Sequence, residues 1–228
     1  LRHADKIIVN SLDFKKKFRT KFKIHAECIY NPLNKYEITK KSKVKNKIKF
    51  DKKKLNIINV GRYTHQKDQL TILKAVNKIK DKIKFNLLLV GRGVEKDNLS
   101  KYINDNNLSR QVQLINFKKN PFNLMKSSDL FILSSLYEGL PNVLLEAQVL
   151  KKFIISSNCP TGPKEILLNG KAGFLFNVGD HIKLSRLILY YSKNKQLLSK
   201  KILIGYKNLH RFDENKNLNM YYQVIIKY

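Results

Sequence analysis

The 228-residue chain is 43% hydrophobic, enough for one α/β domain with extra segments, and no apolar run approaches the roughly 20 residues of a membrane span. Its 46 Lys and Arg against 17 Asp and Glu give a net charge of +29. Nearly all of that excess is lysine in a chain rich in Asn and Ile, the bias of an AT-rich genome, and no nucleic-acid-binding motif goes with it, so nucleic acid is set aside as a partner. The two cysteines, Cys28 and Cys159, are too far apart in sequence for a disulfide framework or a thiolate metal site, and fit a reducing cytoplasm.

The chain starts Leu-Arg-His-Ala-Asp, neither a signal peptide nor an initiator methionine, which predicts a piece of a longer protein. Lys6–Val9 is β-prone, Ser11 is placed to cap a basic helix through Arg19, and Ala26–Tyr30 is a second short strand before Asn31-Pro32. Residues 1–34 are therefore expected to be the closing pieces of another domain. Lys35 to Lys54 holds ten lysines against Glu37 and Asp51 and reads as a solvated, weakly structured connector. Its second expected role is attraction to anionic lipid, about 1 kcal/mol per lysine near the surface.

From Leu55 a strand–helix alternation sets in. Strand Leu55–Val60 precedes a helix over about Gln66–Lys80, whose Leu70, Leu73, Val76 and Ile79 have helical spacing. Strand Phe85–Val90 and the loop Gly91-Arg92-Gly93 lead to a helix near Glu95–Asn106. Strands Val112–Ile115 and Leu130–Leu133 flank a turn at Asn120-Pro121 and a short helix. Strand Phe153–Ser156, helix Lys164–Leu168 and strand Gly173–Phe176 follow. Basic helices near His181–Ser192 and Lys195–Asn208 precede a last amphipathic helix over about 214–227. Strands every 20–30 residues with helices between them predict a doubly wound parallel sheet over 55–208, with residues 209–228 as a separate closing helix.

Two groups of residues carry chemistry. Ser134–Ala147 contains Glu138 and Glu146, eight positions apart, separated by Gly139 and Pro141. Strand, tight loop, helix is the physical reading, with Pro141 at the first helical position and Glu146 one to two turns further in. In open α/β sheets ligands bind at the carboxyl edge, and ionised carboxylates there accept hydrogen bonds from hydroxyl-rich ligands. A glycosidase pair needs carboxyl groups roughly 5–9.5 Å apart across one bond, and a loop residue and a mid-helix residue are better placed for different parts of an extended ligand. The second group, Gly61-Arg62 and Lys67, brings two cations to the same edge, matching a diphosphate. Gly91-Arg-Gly93 resembles half of a phosphate-cradling loop, while no full G-x-G-x-x-G for hydride-transfer chemistry and no metal-ligand cluster is present.

Gly61-Arg62…Lys67, Gly91-Arg-Gly93, the Glu-x7-Glu unit within Glu-Gly-x-Pro, and Gly162-Pro-Lys-Glu-Ile166 occur in an order similar to the family-four, or group 1, retaining glycosyltransferases of GT-B fold. The resemblance covers about residues 55–180. It implies a site for a nucleotide-activated sugar, with a UDP-sugar favoured. Arg62 and Lys67 would hold the diphosphate and Glu146 the ribose. Glu138 would contact the transferred sugar, Gly139, Leu140, Pro141, Asn142 and Val143 would cradle sugar and phosphate, and Asn116, Phe117 and Lys118 would lie by the base, with Gly61 and Gly91 admitting backbone close to the ligand.

It further implies metal-independent transfer with retention to a glycan or lipid-linked acceptor in cell-surface polysaccharide synthesis, in the cytoplasm or peripherally on the inner membrane face. Two departures stand out. The usual front domain is represented only by Ala4–Ser11 and Ile29–Pro32, and His3, His25, His65, His181 and His210 match no catalytic histidine; Asp68 stands where many relatives have Gly or Asn. Residues 1–228 are therefore expected to be inactive alone, with the final helix crossing toward the missing domain. The competing expectation is a non-catalytic sugar-nucleotide binder or membrane-associated subunit.

Overall fold

A computed structural model describes residues 4–45, 48 and 50–226. His3, three residues of the lysine-rich stretch (Asn46, Lys47, Lys49) and the last two residues, including the end of the final predicted helix, lie outside the described residues.

At the N-terminal end, β1 (Ile8–Val9) pairs in parallel with β2 (Glu27–Cys28), joined by α1 (Leu12–Phe22). Ser11 caps α1 by accepting the Phe14 N–H at 3.1 Å. The Glu165 carboxylate also caps α1, accepting the Leu12 N–H at 3.0 Å and the Asp13 N–H at 3.3 Å, and the Tyr30 hydroxyl donates to it. Asp13 in turn accepts the Gly162 N–H at 3.4 Å. Two helix starts thus satisfy one another's orphan donors, seating residues 11–30 on the loop before Pro163.

The next helix, α2 (Lys35–Ser42), corrects the first eight residues of the stretch expected as a weakly structured connector. Lysine dominates its composition, but Ile38 and Ser42 share one face and are buried, and Asn34 caps the helix by accepting the Glu37 N–H at 2.7 Å. One apolar stripe suffices to dock a helix whose other faces carry charge.

The remaining elements are β3 (Leu55–Val60), α3 (Gln69–Asn77), β4 (Phe85–Gly91), α4 (Lys96–Asp105), β5 (Val112–Asn116), α5 (Phe122–Ser127), β6 (Leu130–Leu133), α6 (Asn142–Val149), β7 (Phe153–Ser157), α7 (Pro163–Ile166), β8 (Phe174–Phe176), α8 (His181–Lys193), α9 (Lys195–Lys207) and α10 (Glu214–Ile225). Strands β3 to β8 form one parallel sheet in the order β5-β4-β3-β6-β7-β8. This is the expected doubly wound sheet, and its strand order reverses direction between β3 and β6.

Alternate residues of each strand enter different cores. Ile57, Leu87, Leu89, Ile132 and Ile155 pack among α3, α4 and α8, whereas Ile58, Leu88, Val90, Phe131 and Ile154 pack among α2, α5 and α6. A sheet covered on both faces buries both sets of side chains, which is why these strands are largely apolar without regular polar alternation, Asn56 and Asn59 of β3 being buried as well. The Tyr221 hydroxyl of α10 donates to the Ile29 carbonyl at 3.3 Å, and Leu33 bridges to Asp213, so the last helix lies against the N-terminal segment.

Two local expectations shift. Lys67 does not open the helix after β3. It ends a 3-10 turn, His65–Lys67, closed by Asp68 in the left-handed region (φ 44°), whose carboxylate then caps α3 at Thr71. Pro141 immediately precedes α6 in extended conformation, and Asn142 takes the first helical position.

Candidate nucleotide-sugar site

The carboxyl ends of β3, β4 and β5 open into a cleft of about 420 Å³. Gly61 and Arg62 line it from β3, Gly91 and Arg92 from β4, Phe117, Lys118 and Lys119 from β5, and Glu146 from α6. Four cations thus face one carboxylate. The Arg62 guanidinium makes no ion pair or hydrogen bond among the described residues, and its backbone is held by Gln69, whose Nε2 donates to the Arg62 carbonyl at 2.9 Å. Arg92 stacks over the Phe117 ring with its guanidinium carbon 5.1 Å from the centroid.

Glu146 sits in the second turn of α6, and its carboxylate accepts no hydrogen bond among the described residues. Burial pushes its carboxyl up to about 7. The folded protein therefore keeps a proton that the unfolded chain releases near pH 4.5. The stability from that proton is fully present below pH 4.5 and is lost as pH rises through about 7. Glu146→Gln, neutral at every pH, should be more stable than wild type at pH 8 by on the order of 2–3 kcal/mol, less what water in the open cleft screens, and equal to it at pH 4. Urea unfolding at the two pH values checks this, and an equal difference at both would refute it.

The other two charged residues meet at the point where the strand order reverses. Lys67, after β3, places Nζ 2.6 Å from Glu138 Oε1, after β6, with side chains 16% and 8% exposed. The Ser135 hydroxyl donates to the same oxygen at 2.6 Å. Buried serines hold both ends: Ser134 Oγ donates to the Lys67 carbonyl at 2.8 Å and Ser157 Oγ to the Ser135 carbonyl at 2.7 Å. The Glu138 N–H donates to the Pro160 carbonyl at 2.7 Å, and the Thr161 N–H to the Glu138 carbonyl at 3.0 Å. Gly162 lets this loop close, since a Cβ there would lie 2.4 Å from the Gly139 carbonyl oxygen.

Gly61 joins the two halves of the site: it lines the cleft, and the Lys67 methylenes pass 3.7 Å from where its Cβ would be.

Of the residues singled out from sequence, Gly61, Arg62, Gly91, Phe117, Lys118 and Glu146 line the cleft, and Lys67 and Glu138 form the neighbouring ion pair. Six others do not line it. Asn116 ends β5 and accepts from Lys96 Nζ at 3.3 Å. Leu140 and Pro141 are buried, and Val143 packs against the core. Asn142 is exposed and accepts from Asn31 Nδ2 at 3.0 Å. Gly139, half-buried, offers its carbonyl to the Thr161 hydroxyl at 3.1 Å. Sequence reasoning missed Arg92, Lys119 and Ser135. Arg92 was legible as the residue between two loop glycines, and Ser135 as a hydroxyl three residues before Glu138.

A doubly wound sheet with cations and carboxylates gathered along its carboxyl edge suits an anionic, hydroxyl-bearing ligand. The chain belongs to the glycosyl transferases group 1 family, whose model matches residues 40–220. An uncharacterized glycosyltransferase of Methanocaldococcus jannaschii is 37% identical over 174 residues, 73% of this chain and 43% of that protein. The UDP-Gal:alpha-D-GlcNAc-diphosphoundecaprenol alpha-1,3-galactosyltransferase of Escherichia coli is 32% identical over 172 residues, 70% of this chain and 43% of that protein. The chain thus spans less than half the length of these relatives. The crystal structure of Anabaena HepE in complex with UDP superposes with a TM-score of 0.84 at 19% identity, over 100% of this chain and 65% of that one, which shows a shared GT-B-type fold. Among the described residues no helix is long and apolar enough to cross a membrane, and no three His, Cys, Asp or Glu side chains are grouped to hold a metal ion.

Proposed function

We propose that this chain is the donor-binding half of a retaining glycosyltransferase that takes a sugar from a UDP-sugar and passes it to a glycan or lipid-linked acceptor in cell-surface polysaccharide synthesis. One observation carries the reading: the strand order sets the functional groups in a row. Phe117 and Lys118 follow β5, Arg92 follows β4, Arg62 and Lys67 follow β3, and Glu138 follows β6. Three strand spacings span roughly 14 Å, room for a base, a diphosphate and a sugar in succession. Glu146, facing the cleft beside Arg62, suits the ribose hydroxyls between base and phosphate.

In this reading Arg62, Lys67 and backbone amides neutralise the diphosphate without a metal. Their charge matters most as the leaving diphosphate gains negative charge in the transition state, the usual route of electrostatic catalysis. The acceptor then attacks the face of the sugar from which the diphosphate departs. The names of the relatives support the substrate classes: the E. coli protein is named for UDP-Gal and a diphosphoundecaprenol acceptor, and the Anabaena structure holds UDP. A cytoplasmic location is part of this proposal, with the lysines of 35–54 drawing the protein to anionic lipid. Vesicle binding that does not weaken with salt would remove that last element.

Isothermal calorimetry of the 228-residue chain with UDP, GDP and ADP tests the donor site. Binding at millimolar or tighter affinity, strongest for UDP, is the expected result. A folded chain that binds none of the three defeats the reading.

A further inference from the structure

The Lys67–Glu138 ion pair has a consequence for the two ends of a donor. Lys67 is the cation expected at the diphosphate and Glu138 the carboxylate expected at the sugar, yet here each neutralises the other at 2.6 Å. A diphosphate drawn to Lys67 therefore meets a carboxylate that already holds it. Both groups are largely withdrawn from solvent, so a carboxylate deprived of its cation needs other hydrogen-bond donors. The site supplies one, the fully buried Ser135 hydroxyl on Oε1, and a sugar hydroxyl can supply the second at Oε2, which accepts nothing among the described residues. A nucleoside diphosphate without sugar brings no such donor.

We propose that Lys67 and Glu138 act as an exchange pair that favours the sugar-bearing donor over the spent nucleoside diphosphate. On donor binding Lys67 turns from Glu138 to the diphosphate, and Glu138, held in place by Ser135, takes up the sugar hydroxyls. Once the sugar has left, Glu138 reclaims Lys67 and weakens the hold on the product. Ser135 is in this scheme a positioning residue, acting on the sugar only through Glu138. The inference rests on the donor-site reading above and adds to it an antagonism between carboxylate and diphosphate.

The test is a set of calorimetric titrations with UDP and with UDP-glucose, UDP-galactose and UDP-N-acetylglucosamine at fixed salt. Glu138→Gln keeps the shape and the Ser135 hydrogen bond but releases Lys67. It should bind UDP about fivefold more tightly than wild type, while the advantage of the best UDP-sugar over UDP falls about tenfold. Ser135→Ala should weaken the UDP-sugar about fivefold and leave UDP within twofold, a split that a general loss of structure would not produce. In a Lys67→Met background the tightening by Glu138→Gln should vanish, since the cation competed for is gone.

Equal weakening of UDP and UDP-sugar by Glu138→Gln, with an unchanged thermal midpoint, overturns the exchange and leaves the donor site standing. So does tightening that survives Lys67→Met. Absence of nucleotide binding in the folded wild type overturns both.

Discussion

Gly91→Ala is expected to abolish nucleotide binding and to lower stability by about 3 kcal/mol, at the upper end of overpacking effects. Gly91 ends β4 beside the tip of β3, where the Gly61 N–H donates to the Val90 carbonyl at 3.0 Å. A Cβ on Gly91 would lie 1.9 Å from the Gly61 carbonyl oxygen and 3.2 Å from the Tyr63 ring. The obstacle is backbone, which cannot turn aside as a side-chain tip would. Relief requires the two strand ends to part, which moves Gly61 and Arg62, both in the cleft wall. The neighbouring glycine gives the contrast: a Cβ on Gly61 meets nothing closer than 3.7 Å, so Gly61→Ala should leave stability within about 0.5 kcal/mol of wild type. Thermal melts and UDP titration of both variants check the pair. Equal stability of Gly91→Ala and Gly61→Ala would show that the strand tips do not meet as described.

Arg62→Ala should weaken UDP binding about 30-fold, roughly 2 kcal/mol, without lowering stability. Its guanidinium faces the cleft with no partner among the described residues, so truncation breaks no internal contact and its effect falls on the ligand. A guanidinium engages a diphosphate through paired, charge-assisted hydrogen bonds. Arg62→Lys should recover only part of the loss, because an ammonium lacks the planar fork. The measurement that separates phosphate contact from general surface charge is uridine binding, which Arg62→Ala should leave unchanged. If uridine and UDP suffer alike, Arg62 contacts the nucleoside and the assigned direction of the ligand along the sheet edge is wrong.

The corrected positions show where local sequence information stops. The stretch 35–54 looked like a solvated connector because ten lysines outweigh its single buried isoleucine, yet Ile38 is enough to dock α2. Lys67 was expected in the first turn of a helix over about Gln66–Lys80, ahead of the apolar positions that begin at Leu70. A left-handed Asp68 divides turn from helix instead, a backbone state that Gly, Asn and Asp tolerate best and that apolar periodicity does not register. Ser135 escaped notice because serine before a loop is ordinary until its hydroxyl is seen on Glu138.

By itself the sequence determined that this chain forms a parallel α/β sheet and that Gly61, Arg62, Gly91 and Glu146 belong to one edge of it. Largely apolar runs mark strands buried on both faces, and glycines, charges and a proline at their ends mark the loops, all of it written within a few residues. Only the tertiary structure decided that Lys67 and Glu138, 71 residues apart, neutralise one another, that Arg92 lies over Phe117, and that the strand order sets Phe117, Arg92, Arg62 and Glu138 in a row. Contacts across that separation follow from which strands become neighbours. That is settled by how the crossover helices cover both faces of the sheet, a property of the whole packed chain and of no single segment.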